Sequence, residues 1–214
     1  MNWMSKTLGG PVDPVMPSSW NGLVIVGEAP GATEVAYGVP FCGRSGRLLE
    51  KILASAGIDK RQTALINVFR MQPIWSVDGE GKKRNNDVSH FFTTDPLAGN
   101  DRLAQYQSKY VLQGPDEDIR DLWRFLRSCR PKVIVACGSV ASWALTGEDR
   151  IGDGAGRVTT TKAVVAPVIV TYHPAFALHR NDERAASLIA QHFAKARGLL
   201  VQQVEEEREL AVPF

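Results

Sequence analysis

The stretch LVIVGEAPGATEVAYGVPFCGRSGRLL, from Leu23 to Leu49, constrains this chain more than any other. Leu23 to Val26 is a short apolar run rich in β-branched residues, the pattern of a buried strand. Gly27 ends it. Glu28, Ala29, Pro30 and Gly31 then open a polar loop that reaches Pro40 and Phe41, and a helix begins near Arg44 or Ser45. Strand, glycine-bearing loop and helix form the first half of a parallel α/β unit, in which ligands gather at the carboxyl ends of the strands. The loop is therefore expected to carry a site. Its spacing is neither G-x-G-x-x-G nor G-x-x-x-x-G-K-[ST], so it does not read as a phosphate cradle.

The pattern recurs along the chain. The first helix, to about Ala56, puts Leu48, Leu49, Ile52 and Leu53 on one face, and Gly57 is a natural stop. Thr63 to Val68 reads as a second strand with Asn67 at its carboxyl edge. A helix from about Asp116 to Ser128 turns Ile119, Leu122, Trp123 and Leu126 inward, and Lys132 to Cys137 is a third, fully buried strand. Gly138 and Ser139 open a short helix that ends near Thr146 and Gly147, and Ile151 to Lys162 reads as a glycine-rich connection. Val164 to Tyr172 holds a fourth strand, interrupted by Pro167, which delivers His173-Pro174-Ala175-Phe176. A last helix, about Asp182 to Val204, directs Leu188, Ile189, Phe193, Ala196 and Leu200 to the core. Four apolar strands separated by helices predict a four-stranded parallel sheet covered on both faces: a single-domain, three-layer α/β sandwich over residues 23–204. Residues 1–22 read as an irregular arm anchored by Trp3 and Trp20, and 205–214 as a fraying tail.

Residues 69–115 break the regularity. They hold Arg70, Trp75, the run GEGKKRNND, Phe91 and Phe92 among several glycines and prolines. A segment this long without evident structure reads as a lid, a binding loop or a partly disordered insertion.

The 214 residues suffice for one domain with a sizeable core, and a net charge of +2 leaves any grip on nucleic acid to local patches. The first twenty residues are broken by glycines and prolines and read as neither a signal peptide nor a membrane span, and a cytoplasmic protein is expected. Cys42, Cys129 and Cys137 form no C-x-x-C pair and no even disulfide framework, as in reduced cytoplasmic chains.

GEAPG followed by PFCGRSGRLL resembles the first motif of the family 4 branch of the uracil-DNA glycosylase superfamily. TYHPAF is similar to that family's C-terminal H-P-[AS] motif, and GPDEDIRDLWRFLRSCRPKVIVACGSVASWALTG to the helix, strand and glycine turn between. The resemblance spans roughly residues 20–200, apart from an expansion inside 69–115. It implies hydrolysis of the N-glycosidic bond of a flipped uracil in DNA, as in base-excision repair, by a monomer with no membrane partner.

By resemblance, His173 donates a hydrogen bond to the base oxygen where negative charge develops, Asn67 meets the O4 and N3–H edge of uracil, and Phe41 stacks on the base. Three roles are open to Glu28: positioning water, holding a loop backbone donor, or contacting the sugar. Ala29 joins the base-binding positions, and some other branches carry an aspartate there. Glu34 either walls the C5 side of the base, excluding thymine, or faces solvent. Lys82, Lys83 and Arg84 in a glycine-flanked loop, with Arg180 after the histidine motif, are candidates for phosphate contact or for plain solvated surface. Phe176 either wedges into the base stack or packs in the core. The aromatics and cations of 69–115 together suit a DNA groove.

Two departures matter. Family 4 members hold an iron–sulfur cluster on four cysteines, and this chain has three cysteines in all, with Met71 and the Asp116–Asp118 region at two of the positions. The expectation is a protein with neither cluster nor metal. GKKRNND resembles the basic part of a loop that, in another relative, carries a histidine that bonds covalently to the sugar. Asparagines stand at that histidine's place and His90 lies further on, which argues against permanent crosslinking. Two further readings stay open: a glycosylase for another C5-modified pyrimidine, and a DNA-binding or trapping protein with little turnover.

Overall fold

The computed structural model describes residues 3–77, 83–180 and 182–210. At its centre lie four parallel strands, β1 (Leu23–Gly27), β2 (Ala64–Asn67), β3 (Val133–Cys137) and, after an edge strand β4 (Val158–Thr160), β5 (Pro167–Thr171). The order across the sheet is β4-β5-β3-β1-β2, with β4 antiparallel to β5. The parallel strands fall where the apolar runs place them. The edge strand does not, since sequence reading assigned it to a connection. Val158, Thr159 and Thr160 are β-branched and pair with Ile169, Val168 and Pro167. Pro167 lacks an N–H and is tolerated because it is the first residue of its strand.

Among the described residues six α-helices surround the sheet: α1 (Ala32–Tyr37), α2 (Arg44–Ser55), α3 (Pro115–Cys129), α4 (Ser139–Thr146), α5 (Pro174–Arg180) and α6 (Glu183–Leu210). Strand alternation sorts the core into two layers. Leu23, Ile25, Val133 and Val135 pack with Leu49 and Leu53 of α2 and Ile189 and Phe193 of α6. Val24, Val26, Ile134 and Ala136 pack with Ile119, Leu122 and Leu126 of α3 and Trp143 of α4. Pro115 at the first position of α3 and Asp116, Glu117 and Asp118 in its first turn favour a helix start there. Helices α1 and α5 are additions to the sequence reading: α1 lies in the polar loop after β1, and α5 in the stretch between β5 and the last helix. In α6, which continues to Leu210, Ile189, Phe193, Ala196 and Leu200 are buried as expected, whereas Leu188 is 37 % exposed and turns outward.

Much of the described part of 69–115 packs into the core. Phe69, Phe91 and Phe92 are buried, at 0, 1 and 6 % exposure. The Phe69 and Phe91 rings meet at 4.9 Å, Phe92 meets Trp143 edge-on at 5.4 Å, and Trp3 caps Phe91 at 6.5 Å. A small antiparallel sheet of Phe92–Thr93, Tyr110–Leu112 and Gly99–Asn100 frames them. Phe91 and Phe92 therefore cannot stack on bases, and that expectation is overturned: each fills core volume whose loss costs about 3–5 kcal/mol. The N-terminal arm is anchored as predicted, with Trp3 and Trp20 against the same core. It also adds Thr7–Leu8 as a strand beside Gln72–Pro73.

Candidate active site

The carboxyl ends of β1 and β2 lie side by side, and Gly27 pairs with Asn67. A side chain at Gly27 would force Asn67 or Phe41 to move. A Cβ there would lie 2.3 Å from Asn67 Oδ1 and 2.5 Å from Phe41 Cζ, so bare backbone is what lets the amide and the ring meet over the strand end. The loop after β1 is tied to the chain beyond β2 by Val68 N–H donating to the Gly27 carbonyl at 3.0 Å and Phe69 N–H to the Glu28 carbonyl at 2.9 Å.

Phe41 sits at φ 54°, in the left-handed region that a bulky residue occupies only when its surroundings enforce it. Lys60 Nζ donates to its carbonyl at 2.9 Å and to that of Gly46 at 3.3 Å. A Cβ on Gly46 would fall 1.7 Å from the Phe41 carbonyl oxygen, so α2 can start this close only with glycine there. Glu34 is buried. Its carboxylate accepts from Gly43 N–H at 2.8 Å and Gly31 N–H at 3.2 Å, closing the loop across α1.

His173 follows β5, and its ring lies nearly parallel to that of Phe41, with centroids 5.9 Å apart and planes at 22°. Its Nδ1 accepts from the Ala175 N–H at 3.2 Å. An accepting Nδ1 carries no proton, so in the neutral ring the proton resides on Nε2, which becomes a donor.

These side chains line one cavity of about 360 Å³, shared by Glu28, Ala29, Glu34, Phe41, Asn67 and His173. All six residues assigned to catalysis or base contact thus come together. Glu28 keeps partial access through the cavity mouth, but the protein around it, and secondarily the charge of Asp87, raise its pKa from 4.5 to about 7. Asn67 is 6 % exposed at its strand end. Sequence reading missed Ser45 and Pro73, which also line the cavity, as does Trp75, one of the aromatics it placed in a DNA groove. Trp75 had a signal, as an aromatic in an irregular segment, but no periodicity tied it to a strand end.

The DNA-contact candidates are more scattered. Phe176 stacks on Tyr172 at 4.9 Å and 14° and packs against the α2 and α6 core layer, outside the cavity lining. Lys82 lies outside the described residues. Lys83 and Arg84 begin a strand (Lys83–Asn86) paired with Trp75–Val77, and Arg180 ends α5; the placement of these three side chains lies outside the description. His90 sits on a 3-10 turn, Val88–Phe91, and does not line the cavity.

The residues at the positions of the missing cysteines do other work. Met71 is core, at 6 % exposure. Asp116 accepts from Gly114 N–H at 2.8 Å, Asn100 Nδ2 at 2.7 Å and Arg120 at 2.9 Å. Asp118 accepts from the Arg70 N–H at 3.0 Å, and the Arg70 guanidinium pairs with Asp13 and Asp121. Cys42 lies before α2, Cys129 ends α3 and Cys137 ends β3. Among the described residues no three or more His, Cys, Asp or Glu side chains are grouped to hold a metal. This ligand set does not fit a four-thiolate cluster.

An α/β sheet with this cavity at its carboxyl edge agrees with the family the motifs resemble. A family model for the uracil DNA glycosylase superfamily matches residues 20–197, and the chain belongs to that superfamily, a family of DNA glycosylases. Among its relatives, a type-4 uracil-DNA glycosylase of Thermotoga maritima is 25% identical over 190 residues, 85% of this chain and 79% of that protein. A type-4 uracil-DNA glycosylase of Pyrobaculum aerophilum is 26% identical over 74% of this chain and 69% of its own length. One from Archaeoglobus fulgidus reaches 43% over 51 residues, 24% of this chain and 26% of that protein.

Proposed function

We propose that the protein excises uracil from DNA, hydrolysing the N-glycosidic bond of a deoxyuridine flipped into the 360 Å³ cavity and leaving an abasic site. The observation that carries this reading is the bond from Ala175 N–H to His173 Nδ1, which fixes the proton on Nε2. When the bond between sugar and base breaks, the electron pair leaves with the base and charge collects on its oxygen. A neutral imidazole donor stabilises that charge without first having to lose or gain a proton. Asn67 offers an amide donor to O4 and an acceptor to N3–H, and cytosine presents the reverse pair. Phe41 supplies a stacking face. Glu28, with a pKa of about 7, takes a proton at neutral pH from the water that adds to the sugar carbon.

The same reading assigns Lys82, Lys83, Arg84 and Arg180 to backbone phosphates, in a cytoplasmic monomer without an iron–sulfur cluster. Pairing of the basic strand with Trp75–Val77 supports it, since Trp75 lines the cavity and Lys83 pairs with Val77. Phosphate contacts of this kind give binding a steep dependence on salt.

Single- and double-stranded oligonucleotides containing uracil or 5-substituted uracils, incubated with the protein and then cleaved by alkali at abasic sites, test the proposal. Uracil should be released in single turnover, and His173→Ala should slow release by on the order of 100-fold. Release of a 5-substituted base alone would shift the substrate class. Equal rates in His173→Ala would remove the imidazole from the mechanism.

A further inference from the structure

A second cavity, of about 410 Å³, opens between α3, α4 and β4, and shares no lining residue with the base pocket. It is the larger of the two and lies away from the glycosylase chemistry. Its lining joins three cations, Arg102, Arg127 and Lys162, to the rings of Trp123 and Trp143 and the side chain of Leu145, and includes no aspartate or glutamate. Among the described residues none of the three cations has a carboxylate partner. The chain forms such pairs elsewhere, at Arg70, Arg120, Arg124 and Arg157.

The walls are fixed before any ligand arrives. Trp123 Nε1–H donates to the Ala144 carbonyl at 3.1 Å and Trp143 Nε1–H to the Ala104 carbonyl at 2.9 Å. Both indole donors are consumed, so hydrocarbon and π surface is what the rings offer. Arg127 Nε donates to the Ala163 carbonyl at 3.2 Å, which orients its guanidinium and leaves the terminal N–H groups for an anion. Cavities of about 300–1,000 Å³ with apolar walls and a few convergent polar groups are the usual form of a small-molecule site. Uncompensated cations together with aromatic surface in one cavity select a ligand with an anionic end and a planar body.

We propose that this cavity binds a phosphate-bearing nucleotide, separately from the base pocket. A free mononucleotide and one nucleotide of a DNA strand share that chemistry. Calorimetric titration with thymidine monophosphate, thymidine and oligothymidylate distinguishes the sources, using the parent, an Asn67→Ala variant with the base pocket impaired, and Arg102→Gln/Lys162→Gln. Both substituted cations are exposed and remote from the catalytic residues, so the double variant keeps its circular dichroism and excision rate. The monophosphate should bind parent and Asn67→Ala alike, with Kd about 1 mM or tighter. The double variant should bind at least about tenfold more weakly, the loss expected for charge-assisted hydrogen bonds. Thymidine should bind the double variant and the parent equally. Dependence on Arg102 and Lys162 seen with the oligonucleotide alone would make the strand the source. If neither ligand binds saturably, or the double variant retains parental affinity for both, the proposal is overturned.

Discussion

Lys60 Nζ and the carbonyl of Phe41 are joined by a 2.9 Å hydrogen bond, so a cation just before β2 holds the aromatic wall of the strand-end cavity in its left-handed conformation. The ammonium is mostly buried, at 18 % exposure, with Glu50 at 3.7 Å as its counter-charge. Lys60→Met should leave two carbonyls without their donor, destabilising the fold by about 1–3 kcal/mol. Because Phe41 would then lose its fixed pose, single-turnover excision should fall by about tenfold or more. Thermal melts and excision rates on the same preparation check both. Parental excision in a destabilised variant would confine Lys60 to the fold.

Gly27→Ala tests the close approach over the strand ends. The added methyl would meet Asn67 Oδ1 at 2.3 Å and Phe41 Cζ at 2.5 Å, and neither can retreat far because both are buried. The variant should keep its sheet by circular dichroism and lose excision by on the order of 100-fold or more, since a misplacement of about 1 Å suffices for that.

Glu28 ties activity to pH. If it accepts the proton of the attacking water, excision should rise with pH up to about 7 and level off above it. Glu28→Gln should abolish that rise and lower the rate by roughly 100-fold or more. Stability should move the other way. The folded protein holds this proton more tightly than the unfolded chain, so between 4.5 and about 7 rising pH favours unfolding, at a cost of up to about 3 kcal/mol once the group is ionised. Melts at pH 8 should therefore show Glu28→Gln more stable than the parent, with the difference vanishing below about pH 4.5. An unchanged difference across that range would place the ionised carboxylate in a better-solvated environment.

The purified protein should be colourless. With three cysteines at three separate element ends, four thiolates cannot converge. Iron analysis and a visible spectrum decide it. A brown preparation with about four irons per chain would require ligands that this arrangement does not bring together.

The parallel strands and the residues that gather at their ends were legible because they rest on short-range signals. Apolar runs mark buried strands, and Glu28, Asn67 and His173 follow directly from strand ends. What was not legible depends on long-range packing. Glu34 reads in sequence as a loop carboxylate of open purpose; only the approach of Gly31 and Gly43 shows both its oxygens bound to backbone. Phe91 and Phe92 lie in an irregular segment where no periodicity separates a core aromatic from a ligand-facing one. Trp75, in the same segment, does face the cavity. The difference is set by Trp3, Phe69 and Trp143, remote in sequence from Phe91 and Phe92.

That division of labour within residues 69–115 bears on cooperativity. The segment that supplies Trp75 to the base pocket also supplies Phe91, Phe92 and Val111 to the core layer under α3 and α4. Its described core residues thus tie it to the domain. The pocket wall should appear and disappear with the global transition, so excision activity and near-ultraviolet circular dichroism should be lost at the same denaturant concentration. Shortening the segment should unfold the enzyme before it could widen the pocket.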